Sequence, residues 1–147
     1  MKLKFEVQAV IHKRRSEVFD AVYDPAKLSR YFTTAGASAP LRRGEEVIWK
    51  FADYPGDIRV RVLNTTPGER IAFEWDAEDG PYRTRVDIGF ETLGEGRTRV
   101  SISERGWHET QEALDASYSN CHGWTQMLCC LKAYLEHGVN LREGFYS

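Results

Sequence analysis

Two periodicities divide the chain. As far as about position 105, apolar residues fall on alternate positions, the period of a strand with one buried face; beyond it they recur at steps of three and four, the period of a helix. Leu3, Phe5, Val7, Ala9 and Ile11 alternate with Lys2, Lys4, Glu6 and Gln8, which predicts a first strand. Ser16 is placed to cap a short helix whose inner side is Val18, Phe19 and Val22, with Glu17 and Asp20 favourable near its start. Asp24-Pro25 ends that helix, and Pro25 can begin a second through Leu28, Tyr31 and Phe32. The small, turn-rich run from Thr33 to Gly44 is expected to be irregular and mobile.

Five further strands are expected. Their apolar positions are Val47, Trp49, Phe51; Ile58, Val60, Val62; Ile71, Phe73, Trp75; Tyr82, Thr84, Val86, Ile88, Phe90; and Thr98, Val100, Ile102. Asp53 to Asp57, Thr66 to Glu69, Asp79-Gly80 and Gly94 to Gly96 supply the turns. Links this short imply an antiparallel meander with one wet face. In the last quarter Leu114, Tyr118, Cys121, Trp124, Leu128, Leu131 and Leu135 mark one face of a long helix, widened by Met127, Cys130 and Tyr134. Thr110 is its expected cap and Gly138 its expected end, with His137 at the negative end of the dipole. The tail contains Leu141, Phe145 and Tyr146, enough apolar surface to dock on the body. The expected fold is therefore α+β in a single domain over residues 1–147. A six-stranded antiparallel sheet wraps the long C-terminal helix, and two short helices after strand 1 close one end.

Composition narrows the function classes. A length of 147 residues with 41% apolar and 12% aromatic content supports one real core. A net charge of -2 gives no electrostatic case for nucleic acid or an anionic membrane. No apolar run reaches the roughly 18 residues of a membrane span, and the charged start lacks a signal-peptide core, so a cytoplasmic location is the default expectation. Cys121, Cys129 and Cys130 lack zinc-site spacing and are expected to be small packed hydrophobes in a reducing compartment. His12, His108, His122 and His137 are too scattered to require a metal. No phosphate loop, nucleophile elbow or dinucleotide fingerprint occurs, and no cofactor is implied.

The order of elements resembles the helix-grip (START-like, SRPBCC) superfamily. Within it the chain is similar to small bacterial proteins related to the C-terminal domain of the activator of Hsp90 ATPase. The residues carrying the resemblance are Ser16 to Ala21, Phe73-Glu74-Trp75, Glu104-Arg105-Gly106-Trp107, Gly123 to Leu128 and Leu131 to Glu136. These are packing motifs and encode no chemistry. The resemblance implies a hydrophobic cavity between sheet and helix, which relatives use for lipids, sterols, plant hormones and polyketides, and some have become cyclases or hydrolases. The eukaryotic co-chaperone's extra N-terminal domain is not expected in this chain, so a chaperone partner is possible but unsupported.

Three functions are left open. The first is binding of a small hydrophobic or amphipathic molecule. Its walls would be Trp49, Phe51, Phe73, Trp75, Ile88, Tyr118, Cys121, Thr125 and Leu128, with Glu104 and Tyr82 as polar anchors. The same aromatics could instead simply fill the core, each burying roughly 150–250 Å². Ser117, Cys121 and Thr125 on the helix favour some space. The second is an enzyme with Glu104, inward by parity, as acid-base group; the alternatives there are an ion pair with Arg83, Arg85 or another arginine at the sheet end, or simple exposure as the strand frays. The third is a chaperone-linked interaction through the outward Arg59, Arg61, Arg83, Arg85, Arg97 and Arg99, which could equally pair with Glu46, Glu74 and Asp87.

Overall fold

Alternation becomes strands wherever both faces have something to do. In the computed structural model, which describes residues 1–147, β1 (Lys4–Ile11) is followed by α1 (Arg15–Tyr23) and α2 (Pro25–Leu28). A long meander then runs through β2 (Gly36–Ala37), β3 (Glu46–Phe51), β4 (Tyr54–Thr66), β5 (Arg70–Asp76), β6 (Arg83–Gly94) and β7 (Arg97–Arg105). The last element is α3 (Gln111–His137). The sheet is antiparallel, in the order β1-β7-β6-β5-β4-β3-β2.

It has seven strands, not the six expected. Within the run expected to be irregular, Gly36 and Ala37 pair with Lys50 and Trp49. Two residues are too few to display an alternation. The first helix also differs. It begins at Arg15 with Arg14 as an uncapped N-terminus, so Ser16 lies inside the first turn and caps nothing. Asp24 caps α2 instead, accepting from the Ala26 amide at 2.9 Å with Pro25 in the first helical position. The helix stops at Leu28, and Tyr31 and Phe32 are buried just beyond it.

Inward positions make one core. Val47, Val60, Ile71, Val86, Ile88, Val100 and Ile102 are all fully buried, each side chain contributing about 1.5–3 kcal/mol of transfer free energy. Outward positions carry ion pairs: Arg59 with Glu46, Arg61 and Arg83 with Glu74, Arg70 and Arg85 with Asp87, and Arg99 with Glu91. Burial raises the affinity of the Asp87 carboxyl for its proton, but hydrogen bonds from Arg85 and Arg70 outweigh this, and its pKa is lowered.

Both ends of α3 are as expected. Thr110 accepts from the Ala113 amide at 3.1 Å, and Gly138 adopts a left-handed φ of 66°. Its inner face is not. In the first half the buried residues are Ala113, Ala116 and Ser117, while Tyr118 is 65% exposed. Small side chains let the helix seat closely on Leu3 and Trp107, and Tyr118 is rotated to solvent. Among the strands, α3 comes nearest to β1. Over β3 and β5 the wider gap is bridged by rings, with Phe73, Trp75 and Phe32 each within about 6 Å of Trp124. Of the cysteines, Cys130 is buried with its thiol pKa pushed up by that burial, Cys121 is half-buried, and Cys129 is exposed rather than packed.

The tail docks through an unexpected residue. Arg142 is 7% exposed and holds Asp53, in the β3–β4 turn, through two hydrogen bonds of 2.6 and 2.8 Å. Its guanidinium also lies over the rings of Phe51 and Tyr146. No helix is long and apolar enough to cross a membrane.

Candidate functional site

The centre of the sheet-helix sandwich is occupied by the protein's own side chains. Trp49, Phe73, Ile88 and Leu128 are 0–3% exposed and belong to one core cluster. They are core rather than cavity wall. Space opens instead at one end, where a pocket of about 290 Å³ lies between α3, the ends of β3 to β5 and the tail. Its apolar wall is Phe32, Phe51, Ile58, Trp75 and Trp124, and its polar rim includes Asn120, His122, Gln126 and Arg142.

Of the expected wall, only Phe51 and Trp75 line this pocket. Tyr118 and Thr125 face solvent, and the Thr125 hydroxyl donates back to the Cys121 carbonyl within the helix. Cys121 is half-buried away from the pocket. Tyr82 precedes β6 rather than opening it. It stacks on His108 with ring centroids 3.6 Å apart, and its hydroxyl donates to Asp79 at 2.7 Å. Burial and the bond to Asp79 raise its pKa. It is therefore no anchor for a ligand in this pocket.

Glu104 faces inward, as its parity requires, but its partners are not arginines. Arg83 and Arg85 turn outward to Glu74, Asp76 and Asp87. Glu104 is 1% exposed and sits behind the pocket wall. Its Oε2 accepts from Trp75 Nε1 at 2.9 Å, Thr84 Oγ1 at 2.7 Å and Asn120 Nδ2 at 3.0 Å; its Oε1 accepts from Trp124 Nε1 at 3.0 Å. Four donors suit the acceptor-only ionised carboxylate. The two indoles, stacked 5.3 Å apart, are thereby fixed by their only polar atoms, and what they offer the pocket is hydrocarbon.

The rim is anchored by the tail. Tyr146 bridges His122 and Gln126, its hydroxyl 3.3 Å from each. The hydrogen bonds from Arg142 hold the Asp53 carboxyl below the ordinary carboxylate range. Sequence reasoning missed Trp124, Phe32, Ile58, Asn120, His122, Gln126, Arg142 and Tyr146 as lining. Asn120 offered the one local signal, a polar residue one helical turn before a buried Trp124.

Glu104 is not among the lining residues; the carboxylates that do line the pocket are those of Asp76 and Glu78. Comparison with known proteins places the chain. Among solved structures, DynU16, a protein in the dynemicin biosynthetic locus, superposes with a TM-score of 0.81 at 23% identity over 95% of this chain, which spans only 49% of that longer one. SSP2350 from Staphylococcus saprophyticus gives 0.77 at 27% identity, over 97% of this chain and 96% of that one. The Aha1 dimer from Colwellia psychrerythraea gives 0.78 at 21% identity, over 92% and 97%. No curated protein matches the sequence. The family model described as Activator of Hsp90 ATPase homolog 1-like protein matches residues 13–136. The chain thus belongs to the Activator of Hsp90 ATPase homolog 1-like family, with its helix-grip fold.

Proposed function

We propose that the protein binds a small hydrophobic or amphipathic molecule in the pocket beside Trp75 and Trp124. The observation that carries this reading is the pair of indoles held by Glu104. Burying a carboxylate without a cation is a costly way to fill a core position. Here that carboxylate fixes two rings and one amide of a pocket wall before any ligand arrives, which lowers the ordering cost of binding. An apolar ring wall facing a polar rim that also carries Asp76 and Glu78 suits an amphipathic molecule, and about 290 Å³ lies at the small end of the usual range of small-molecule sites. A compact ligand, or one end of a longer amphipath, fits that space. The relation of DynU16 to a biosynthetic locus agrees with a small-molecule role, though it is said of that protein alone.

Catalysis through Glu104 is the weaker reading, because four buried donors already hold the carboxylate and it does not reach the pocket surface. The family's description favours a chaperone-linked interaction as a second reading. A pull-down with purified Hsp90 that is indifferent to charge reversal at Arg59 and Arg61 would discount the outer face for that role. Binding itself is tested by a protein-detected NMR titration with a fatty-acid, sterol and aromatic-polyketide panel. The expected shifts fall on the Trp75 and Trp124 indole signals, Asn120 and Gln126. Shifts confined to the outer strand faces, or none, would refute it.

A further inference from the structure

A second recess, of about 610 Å³, opens where β1 begins and β7 ends, and its wall includes Lys2, Lys4, Arg83, Arg85, Arg105 and Trp107. The strand register sets Lys4 opposite Arg105 and Arg105 opposite Arg85, so three cations stand side by side across three strands. Like charges directly opposite one another repel. Neighbouring carboxylates do not relieve the repulsion fully. Asp87 meets Arg85, Glu74 is shared between Arg61 and Arg83, and Glu109 is taken by the N-terminal ammonium at 2.6 Å. Lys2, Lys4 and Arg105 make no ion pair. This excess stands out in a chain whose net charge is -2.

Trp107, 6% exposed, forms the buried edge of the recess. We infer that this recess is a binding site for a small ligand carrying two or more phosphate groups, held by Lys2, Lys4 and Arg105. Phosphate matches the set because it offers several charged acceptors to cations converging from different strands. The ligand is small because the basic character stops at the recess: Arg59, Arg61, Arg70 and Arg99 on the same face are each paired, which leaves no track for a nucleic acid backbone.

Inorganic pyrophosphate is the probe, titrated into the full chain at physiological salt and followed by NMR and thermal melting. Saturable shifts are expected at residues 2–4, at Arg105 and at the Trp107 indole, together with a rise in melting temperature. In the double variant Lys4→Gln/Arg105→Gln, affinity should fall on the order of tenfold, as expected for a lost charge-assisted contact. Its melting temperature without pyrophosphate should not fall, because repulsion has been relieved. Arg97→Gln, which removes another unpaired arginine elsewhere on the sheet, should leave affinity unchanged. The site is refuted by an absence of saturable shifts, or by equal affinity in the double variant. An equal response to sulfate and pyrophosphate, marking an adventitious ion only, would refute it too.

Discussion

Four buried donors converge on Glu104, three on Oε2 and one on Oε1. Holding two indoles, a hydroxyl and an amide makes the residue a positioning group and sets what substitution does. In Glu104→Gln one oxygen becomes an NH2 that must face either the Trp124 N–H or the donors of Trp75, Thr84 and Asn120. Leaving buried donors unmatched costs roughly 1–3 kcal/mol each, so chemical denaturation should show a loss of about 2–4 kcal/mol with both indole signals displaced. Thr84→Val removes one donor of four and should cost nearer 1 kcal/mol. A loss below about 0.5 kcal/mol in the Gln variant would show that the four bonds are not made together in solution. The inward parity of Glu104 was legible in the alternation of β7. Its partners were not, since Asn120 and Trp124 lie 16 and 20 positions away on a different element. Periodicity reports a face and is silent about what meets it.

Helix ends were readable because capping is local chemistry. Thr110 and Gly138 bound α3 where side-chain and backbone preferences put them. Thr110→Ala should lower stability by about 1 kcal/mol, measured as a shift in the denaturation midpoint. The helix's rotation was harder to read. Leu114 and Tyr118 promised a bulky inner stripe, yet Ala113, Ala116 and Ser117 are the buried ones, because close approach at this end rewards small residues over apolar size. For the tail, the apolar residues were visible, but the anchoring pair joins positions 89 apart. Hydrogen bonding by Arg142 lowers the Asp53 pKa. A lowered folded value means the stabilisation is fully present above the unfolded carboxylate pKa and is lost as pH falls through the folded one. The tail should therefore stay docked at neutral pH and release in acid, below the ordinary carboxylate range. The Tyr146 and Arg142 resonances would report that release, and docked shifts that persist after Asp53→Asn would show that apolar contacts alone hold the tail.

The molecule as assembled is a filled sandwich with usable space at its margins. The single long helix and the split between an apolar inner and a charged outer sheet face follow from period two giving way to period 3.6, and the meander from its short turns, whereas the pairing of β1 with β7 is written in neither. A cavity was expected between helix and sheet; Trp49 and Phe73 fill the middle of that gap, and the space lies at one end of it. Side-chain volume settles that question, and an alternating pattern carries no volume. The ring wall beside Trp124 survives as a pocket only where α3, the β3–β4 turn and the tail do not close on one another. Intermolecular NOEs between a bound ligand from the panel and the protein locate that ligand most directly. Contacts are predicted from the ligand to ring protons of Trp75, Trp124, Phe51 and Phe32. Contacts to Ile88 and Phe73 in the deep core, or to the outer strand residues instead, would contradict the pocket as the binding site.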